Sequence, residues 1–217
     1  MSAKDKSQEL NCSVIVKASG CFVDKFANSN SNGQAGDSSK PNLDTIVVTD
    51  DQGRTLDCYV ERSLEIDGSD YALLLPVDVP IEIFAWEDDE DGEDSLVDLE
   101  DEEVEVVFLT ARAVLAEQDM TLTQTALTLT AKGDVPVPDE DDIVTLDLSD
   151  ESGDLESEDF QLLANFFHEE QEYAIYTPLN PLLIFVRLQQ DGKPVLLEPE
   201  EFEGIRPQLE DQFFDEL

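Results

Sequence analysis

Basic residues are scarce in this chain, which has 12 Lys and Arg against 53 Asp and Glu among 217 residues and a formal net charge of −41. Proteins that bind a phosphate backbone need clustered Lys and Arg to release counterions, so direct nucleic-acid binding is excluded as a main activity. Apolar runs are also short, and none approaches the roughly 20 residues that span a bilayer as a helix. The N-terminal sequence MSAKDKSQEL lacks the apolar core of a secretory signal. We therefore expect a cytoplasmic protein without a membrane span.

Cysteine and histidine are also rare. Three cysteines in so long a chain favour a reducing compartment over a disulfide framework. A zinc site would have to combine the single histidine, His168, with Cys12, Cys21 and Cys58, which lack C-x-x-C spacing. His168 also has no Ser or Cys placed with it in a recognisable nucleophile motif. We therefore predict no catalytic residue, no metal site and no cofactor, and we do not expect an enzyme.

Acidic residues, by contrast, are abundant and concentrated in blocks. Residues 87–105 contain 13 acids in 19 positions, and residues 139–159 contain 11 in 21. Carboxylates within a block lie inside the screening length of about 8 Å, so they repel each other and favour extended, solvated chain. Each block is either a solubilising loop or a docking surface for a basic partner protein. For the docking alternative, the predicted partner-binding residues are Glu87, Asp88, Asp89, Glu90, Asp91, Glu93 and Asp94.

The first acidic block loosely resembles a calcium-binding loop. Glu87, Asp89 and Asp91 alternate before a glycine, and Asp98 occupies the twelfth position. The pattern departs from such loops at the first ligand, which is Glu, and at Asp98, where a bidentate Glu is usual. Asp94 also stands where an apolar residue normally packs. Binding of a divalent cation or a small molecule is therefore kept as the alternative function.

An internal repeat is the strongest signal in the sequence. The segment TDDQG, which begins at Thr49, matches SDESG, which begins at Ser149. Further on, Tyr71 aligns with Tyr173 and Phe84 with Phe185, at offsets between 100 and 102. Such small changes of offset are expected when duplicated strands are joined by turns of slightly different length. The sequence therefore predicts two similar units, about 43–118 and 142–217.

Within each unit, apolar and polar side chains alternate as they do in strands. Leu56, Cys58 and Val60 alternate with polar neighbours, which is typical of a half-buried strand. We accordingly expect Cys58 to be buried and unbridged. Asp-Gly and proline turns separate further short apolar segments, so each unit reads as an antiparallel meander of about five strands. The predicted fold class is α+β, mostly β, with two tandem, structurally similar meander units that each end in a helix.

The two candidate helices differ in their signals. In the first unit, apolar residues follow a run of acids at helical spacing: Val104, Val107, Phe108, Ala111 and Leu115. Val104, Val106 and Phe108 also alternate, so a strand start is the other interpretation. At the C-terminus, Leu209, Phe213 and Leu217 recur at helical spacing. Pro207 is compatible with that second helix if it opens the helix and does not interrupt it.

The predicted domain plan places four segments in order. They are a mostly disordered N-terminal segment 1–42, a first β-meander repeat 43–118 in which the first acidic block forms an acidic hairpin, an extra strand and linker 119–141, and a second β-meander repeat 142–217. Residues 26–42 are Ser, Asn and Gly with almost nothing to bury. The apolar run Val14–Val16 before them is either a small strand or a docking peptide. The Thr-rich alternation over Thr121–Ala131 predicts the extra strand.

These motifs carry a family resemblance. The stretch TIVVTDDQGRTLDCYVERSLEIDGSDYALLLPVDVPIEIFAWEDDEDGED resembles the small, acidic, bacterial YrzB-like domains of unknown function, over about 43–100. The later part, from ARAVLAEQDM through the second YA-x-x-x-P unit, is similar to a companion domain of unknown function found in cyanobacteria and plastids, over about 105–217. The second unit departs from the pattern because QQDGK replaces the acidic hairpin. The resemblance implies a cytoplasmic or stromal location and brings no catalytic residues.

The function expected from the sequence is a non-enzymatic acidic interaction or assembly factor that docks a basic partner surface. A role in photosynthetic biogenesis rests on lineage alone. A nucleic-acid mimic that occupies a basic surface would be a sharper version of the same class. Halophilic adaptation also explains many acids, but it predicts acids spread over the whole surface instead of blocks.

Overall fold

The computed structural model describes residues 15–17, 44–88, 94–149, 155–197, 201–202 and 204–208. These residues form thirteen strands, the helix α1 and a short 3₁₀ helix between β8 and β9 (Glu140–Asp142), and 201–202 and 204–208 are also helical. In chain order the elements are β1 (Ile15–Lys17), β2 (Thr45–Thr49), β3 (Thr55–Ile66), β4 (Ser69–Pro76), β5 (Val79–Asp88), β6 (Asp94–Asp98), α1 (Asp101–Ala116), β7 (Thr121–Gln124), β8 (Leu129–Lys132), β9 (Ile143–Ser149), β10 (Leu155–His168), β11 (Gln171–Pro178), β12 (Leu182–Leu188) and β13 (Pro194–Leu196). The predicted fold class, α+β and mostly β, is confirmed.

The strands form two antiparallel sheets that do not follow the boundary between the repeats. The first sheet has the order β1-β12-β4-β3-β2, with β13 also paired to β12. The second has the order β7-β8-β5-β11-β10-β9, with β6 also paired to β5. The first repeat therefore gives β2, β3 and β4 to one sheet and β5 and β6 to the other. The second repeat does the reverse, so each sheet is completed by two strands of the other repeat.

Matching irregularities relate the two repeats. The pairing of β3 with β4 shifts between Val60 and Arg62, and the pairing of β10 with β11 shifts between Leu162 and Ala164. The turns that lead into the exchanged strands are fixed alike, because Val77 N–H donates to the Asp57 carbonyl at 2.9 Å and Leu179 N–H donates to the Asp159 carbonyl at 2.8 Å. Each of these pairs of positions is separated by 102 residues. The duplication thus extends to bulges and turn hydrogen bonds.

The register of the exchanged strands corrects one expected equivalence. Tyr71 lies opposite Arg187, and Tyr173 lies opposite Ala85, so β5 and β12 also correspond at an offset of 102. Phe84 is therefore equivalent to Val186, and the predicted alignment of Phe84 with Phe185 is wrong by one residue. A shift of one residue moves a side chain to the other face of a sheet. Phe185 accordingly lies in a core on the helix-covered face of its sheet, whereas Phe84 lies in a core on the opposite face of the other sheet.

Each sheet has one face covered by a helix. On the second sheet, α1 packs Val107, Ala111 and Leu115 against a core that includes Ile83 and Ile175. On the first sheet, Ile205 and Phe202 of the C-terminal helical residues pack against a core formed by Ile66, Tyr71, Leu73, Leu183, Phe185 and Leu197. Glu201 fixes this contact, because its carboxylate accepts hydrogen bonds from Arg187 at 2.9 Å and Tyr71 at 3.3 Å.

Helix α1 forms where the apolar spacing predicted a helix, so that prediction is confirmed. Val107, Ala111 and Leu115 are buried, and Val104 and Phe108 are half-buried. At its start, the Glu103 carboxylate accepts a hydrogen bond from the Glu100 N–H at 2.9 Å, as in a capping box. Acids in the first turn also suit the positive end of the helix dipole.

The Thr-rich extra strand is corrected to a hairpin of two short strands, β7 and β8. Thr125 breaks the strand because both its N–H and its hydroxyl donate to the Thr128 carbonyl, at 3.1 and 2.6 Å. Gly133 follows β8 with φ of 149°, and a Cβ there would lie 2.9 Å from the Asp119 carbonyl oxygen. The linker is then held in part by Gln161, whose Nε2 donates to the Pro136 carbonyl at 2.9 Å.

The structure also describes part of the two segments near the chain termini that carry predictions made from the sequence. Residues 15–17 form a strand, and β1 pairs with β12 as β8 pairs with β5. Pro207 lies within helical residues 204–208 and does not open a helix, since it follows residues that are already helical. The predicted disordered stretch 26–42 and the helical positions Leu209, Phe213 and Leu217 lie outside the described residues.

Candidate functional site

The structure describes three of the predicted acidic docking residues, Glu87, Asp88 and Asp94, in the paired strands β5 and β6. Glu87 is opposite Ser95 and Asp88 is opposite Asp94 in the pairing of these strands. Glu87 is exposed, and its carbonyl accepts a hydrogen bond from the Ser95 hydroxyl at 3.3 Å. The remaining predicted residues lie outside the described part of the chain: Asp89, Glu90, Asp91 and Glu93. The docking role and the calcium-loop alternative of this hairpin both stay predictions.

Beside this hairpin, a cleft of about 350 Å³ opens at the edge of the second sheet. The cleft lies at the edge of β5 on which β6 and β8 pair with successive parts of the strand, close to the start of α1. Pro80, just after the crossover from β4 to β5, and Pro178, just before the crossover from β11 to β12, also line it, together with Leu182 of the second repeat. The cleft is therefore built by both repeats at the place where they exchange strands.

The floor of the cleft is apolar. Ile81 and Ile83 of β5 are buried there, and the half-buried residues Leu99, Val104 and Leu127 close it from the helix and from the β7–β8 turn. Leu99 and Val104 reach the cleft because β6 ends at Asp98 and the chain then leaves the sheet to begin α1. Apolar surface that stays partly open to water is a usual component of a binding surface.

The rim of the cleft is acidic. Asp98 and Asp101 are exposed on it, and Glu82 also contributes to the lining. The base in the lining is Arg54, which forms an ion pair with Asp50 at 2.5 Å. Asp50 belongs to the β2–β3 turn and also accepts hydrogen bonds from the N–H groups of Gln52 and Arg54, at 3.0 and 2.8 Å.

The positive charge of Arg54 is therefore neutralised by Asp50 within the β2–β3 turn. Burial raises the pKa of Asp50, but the hydrogen bonds and charge of Arg54 outweigh it and bring the pKa below its usual value. Asp50 consequently stays ionised and neutralises Arg54 at neutral pH. The carboxylates of Asp98 and Asp101 then dominate the field at the rim.

Helix α1 extends this acidic surface away from the cleft. Asp101, Glu102 and Glu103 form its first turn, and its last turn contains no base. Val106 and Leu109 lie on its outer face, where Leu109 is 73% exposed. Acidic and apolar side chains are thus presented together on one side of the molecule.

The residues weighed for chemistry are placed apart from the cleft. His168 ends β10, and its Nδ1 lies 3.1 Å from the Thr110 hydroxyl of α1, so it joins the strand to the helix. Cys58 is fully buried as a free thiol, as predicted, and burial raises its pKa to about 12. Cys12 and Cys21 lie outside the described residues. In the described ranges, the acids, Cys and His do not form a group of three or more that could hold a metal ion.

Sequence reasoning missed the cleft itself. Its residues come from β5, the start of α1, the β7–β8 turn and both repeats, so no single segment carries its pattern. The available signal was the proline that ends each strand before a crossover, Pro76 and Pro178, because these residues mark the points where the chain changes sheets. In the described part of the chain, no helix is both long and apolar enough to cross a membrane.

Comparison with known proteins identifies relatives of both repeats. Residues 51–116 match the model of a family described as a protein of unknown function (DUF1292), and residues 119–216 match that of a second protein of unknown function (DUF3727). No solved structure matches the chain. The resemblance to bacterial domains of unknown function is thereby confirmed, and neither matched family is described as an enzyme.

Two curated relatives are similar to part of the chain. A UPF0473 protein of Desulforudis audaxviator is 38% identical over 69 residues, which are 30% of this chain and 79% of the relative. A UPF0473 protein of Pelotomaculum thermopropionicum is 39% identical over 80 residues, which are 35% of this chain and 92% of the relative.

Proposed function

The chain belongs to the UPF0473 protein family, and on that premise we propose that it is a non-enzymatic interaction or assembly factor that docks a basic surface of a partner protein. Its two matched families are of unknown function, so the proposal rests on the chemistry of this chain. The observation that carries it is the apolar cleft with exposed Asp98 and Asp101 on its rim. Apolar contact supplies affinity in such interfaces, and charge supplies orientation and rate of association.

The acidic hairpin and the first turn of α1 would act together in this role. Glu87, Asp98 and Asp101 are exposed near one edge of the second sheet, and the net charge of the chain is −41. Such a surface attracts basic proteins over distances comparable to the Debye length. The resemblance of the later part of the chain to a companion domain found in cyanobacteria and plastids would place the partner in photosynthetic biogenesis and the protein in the cytoplasm or stroma.

Association kinetics test this function. The partner is captured with the full chain, and its association rate is measured against salt for the wild type and for a five-site hairpin variant, E87Q/D88N/D89N/E90Q/D91N. Screening shortens the Debye length from about 30 Å at 0.01 M salt to about 8 Å at 0.15 M. We expect the variant to associate more slowly at low salt and to show a flatter salt dependence.

A matched variant separates the hairpin from net charge. D134N/D139N/E140Q/D141N/D142N removes five charges from the segment that leads into β9, at the opposite edge of the same sheet. This variant should keep a rate close to that of the wild type. Rates and salt slopes that are identical for all three proteins would reject the docking role of the hairpin and leave it as a solvated loop.

A further inference from the structure

The cleft follows from an interruption in the pairing along one edge of β5. β6 pairs with residues Phe84–Asp88, and β8 pairs with Val79–Ile81. Glu82 and Ile83 lie between these two neighbours, and both line the cleft. In the equivalent place of the first sheet, the pairings of β1 and β13 that the described residues make leave one residue of β12 between them, Phe185. The second sheet therefore has a wider opening than its own duplicate.

The dimensions of the opening suit part of a peptide better than a whole cofactor. Its volume of about 350 Å³ is near the lower limit of small-molecule pockets, which span about 300–1,000 Å³. The floor side chains Leu99, Val104 and Leu127 are half-buried, so an apolar group placed on them would complete their burial.

The charges around the opening determine which residues should flank an apolar side chain that binds there. Asp98 and Asp101 are exposed on the rim, while Arg54 is paired with Asp50 inside its own turn. An acidic segment would meet these carboxylates with repulsion, whereas Lys or Arg would meet them with attraction. Charge complementarity thus selects a basic segment.

We propose that this cleft receives a single apolar side chain of a partner protein, from a segment in which Lys or Arg residues flank that side chain. This inference rests on the proposed function and specifies the partner segment for the same site. The apolar side chain would lie on Leu99, Val104 and Leu127, and the flanking cations would face Asp98 and Asp101.

A titration with two peptides tests the assignment on the full chain. The probe is acetyl-Ser-Lys-Ser-Lys-Leu-Lys-Ser-Lys-Ser-amide, and its control has Ser in place of the single Leu. Binding is followed by NMR of the methyl groups of Leu and Val, which reports both affinity and location. Burial of one Leu side chain contributes roughly 1.5–3 kcal/mol, so we expect the Leu probe to bind roughly tenfold more tightly, or more. The methyl signals of Leu99, Val104 and Leu127 should shift most.

Two pairs of variants separate the floor from the rim. Leu127→Ser should remove most of the preference for the Leu probe, whereas Leu109→Ser, on the exposed outer face of α1, should leave it unchanged. D98N/D101N should weaken both peptides, whereas D134N/D139N, with the same charge change in the linker, should not. The spectra of each variant also show whether it is folded.

The outcomes distinguish the cleft from the general docking role. If both peptides bind with equal affinity and the cleft methyls do not shift, the cleft assignment is wrong while docking of basic segments survives. If neither peptide binds even at about 0.01 M salt, where electrostatic attraction is least screened, both the cleft assignment and the proposed function fail. A preference for the Leu probe that persists in Leu127→Ser also rejects the cleft.

Discussion

The hydroxyl of Thr177 is a buried polar group whose Oγ1 has no hydrogen-bond partner within the described structure. Thr177 is only 4% exposed, near the end of β11. An unsatisfied buried group carries the full cost of its desolvation, about 1–3 kcal/mol. Val has nearly the same shape without the hydroxyl, so Thr177→Val should raise the free energy of unfolding by about 1 kcal/mol, measured by urea denaturation.

Thr125 provides the matched control for this substitution. Its hydroxyl donates to the Thr128 carbonyl at 2.6 Å within the β7–β8 turn. Thr125→Val should therefore lower the free energy of unfolding by about 1 kcal/mol, the opposite sign. Equal destabilisation by both substitutions would show that the Thr177 hydroxyl is satisfied in solution.

Single residues differ in how well their surroundings can be predicted from sequence. The burial of Cys58 followed from its alternation with polar neighbours, and it is confirmed. The environment of Thr177 did not follow, because alternation gives the face of a strand but not the polar groups on the elements that cover it. For the same reason, the pairing of Arg54 with Asp50 required the turn geometry.

At the scale of elements, helix α1 allows a direct comparison of its two faces. Leu115 is fully buried against the second sheet, whereas Leu109 is 73% exposed. Truncation of a buried Leu removes its transfer free energy and leaves a cavity. We expect Leu115→Ala to lower the free energy of unfolding by about 3 kcal/mol and Leu109→Ala to change it by less than about 0.5 kcal/mol.

Chemical denaturation of both variants measures this difference. Equal losses for the two substitutions would contradict the orientation of α1 on the sheet. The orientation itself was predictable, because five apolar positions recur at helical spacing and three of them, Val107, Ala111 and Leu115, are buried.

Register was harder to predict than element type. Strand pattern and turn motifs located the strands, but the alignment of Phe84 with Phe185 was one residue out. Both are aromatic residues in corresponding strands, so chemical similarity favoured the wrong pair. The correct equivalence depends on which residue lies opposite on the neighbouring strand, and that is a property of the sheet.

At the scale of the whole molecule, the two repeats form one structure because they exchange strands. β12 of the second repeat pairs with β4 of the first, and β5 of the first pairs with β11 of the second. The cleft depends on this exchange, since Ile81 and Arg54 come from one repeat and Pro178 and Leu182 from the other. A site built in this way exists only when both repeats are assembled.

The exchange could not be read from the sequence. Five strands in the same order fit a self-contained meander and an exchanged pair equally well, because alternation specifies strands and not their partners. The difference arises at the two crossovers, after Pro76 and Pro178, where the chain continues into the other sheet. Exchange of identical elements between duplicated units is a known low-cost arrangement, but local sequence does not encode it.

The most direct test of strand exchange cuts the chain between the repeats. A site for a specific protease is inserted after Val137, which is 90% exposed in the linker between β8 and β9. After complete cleavage, we predict that the two fragments elute together at the position of the intact chain in size-exclusion chromatography and separate only in denaturant. Fragments that elute separately under native conditions, each folded by circular dichroism, would contradict the exchange and the cleft built on it.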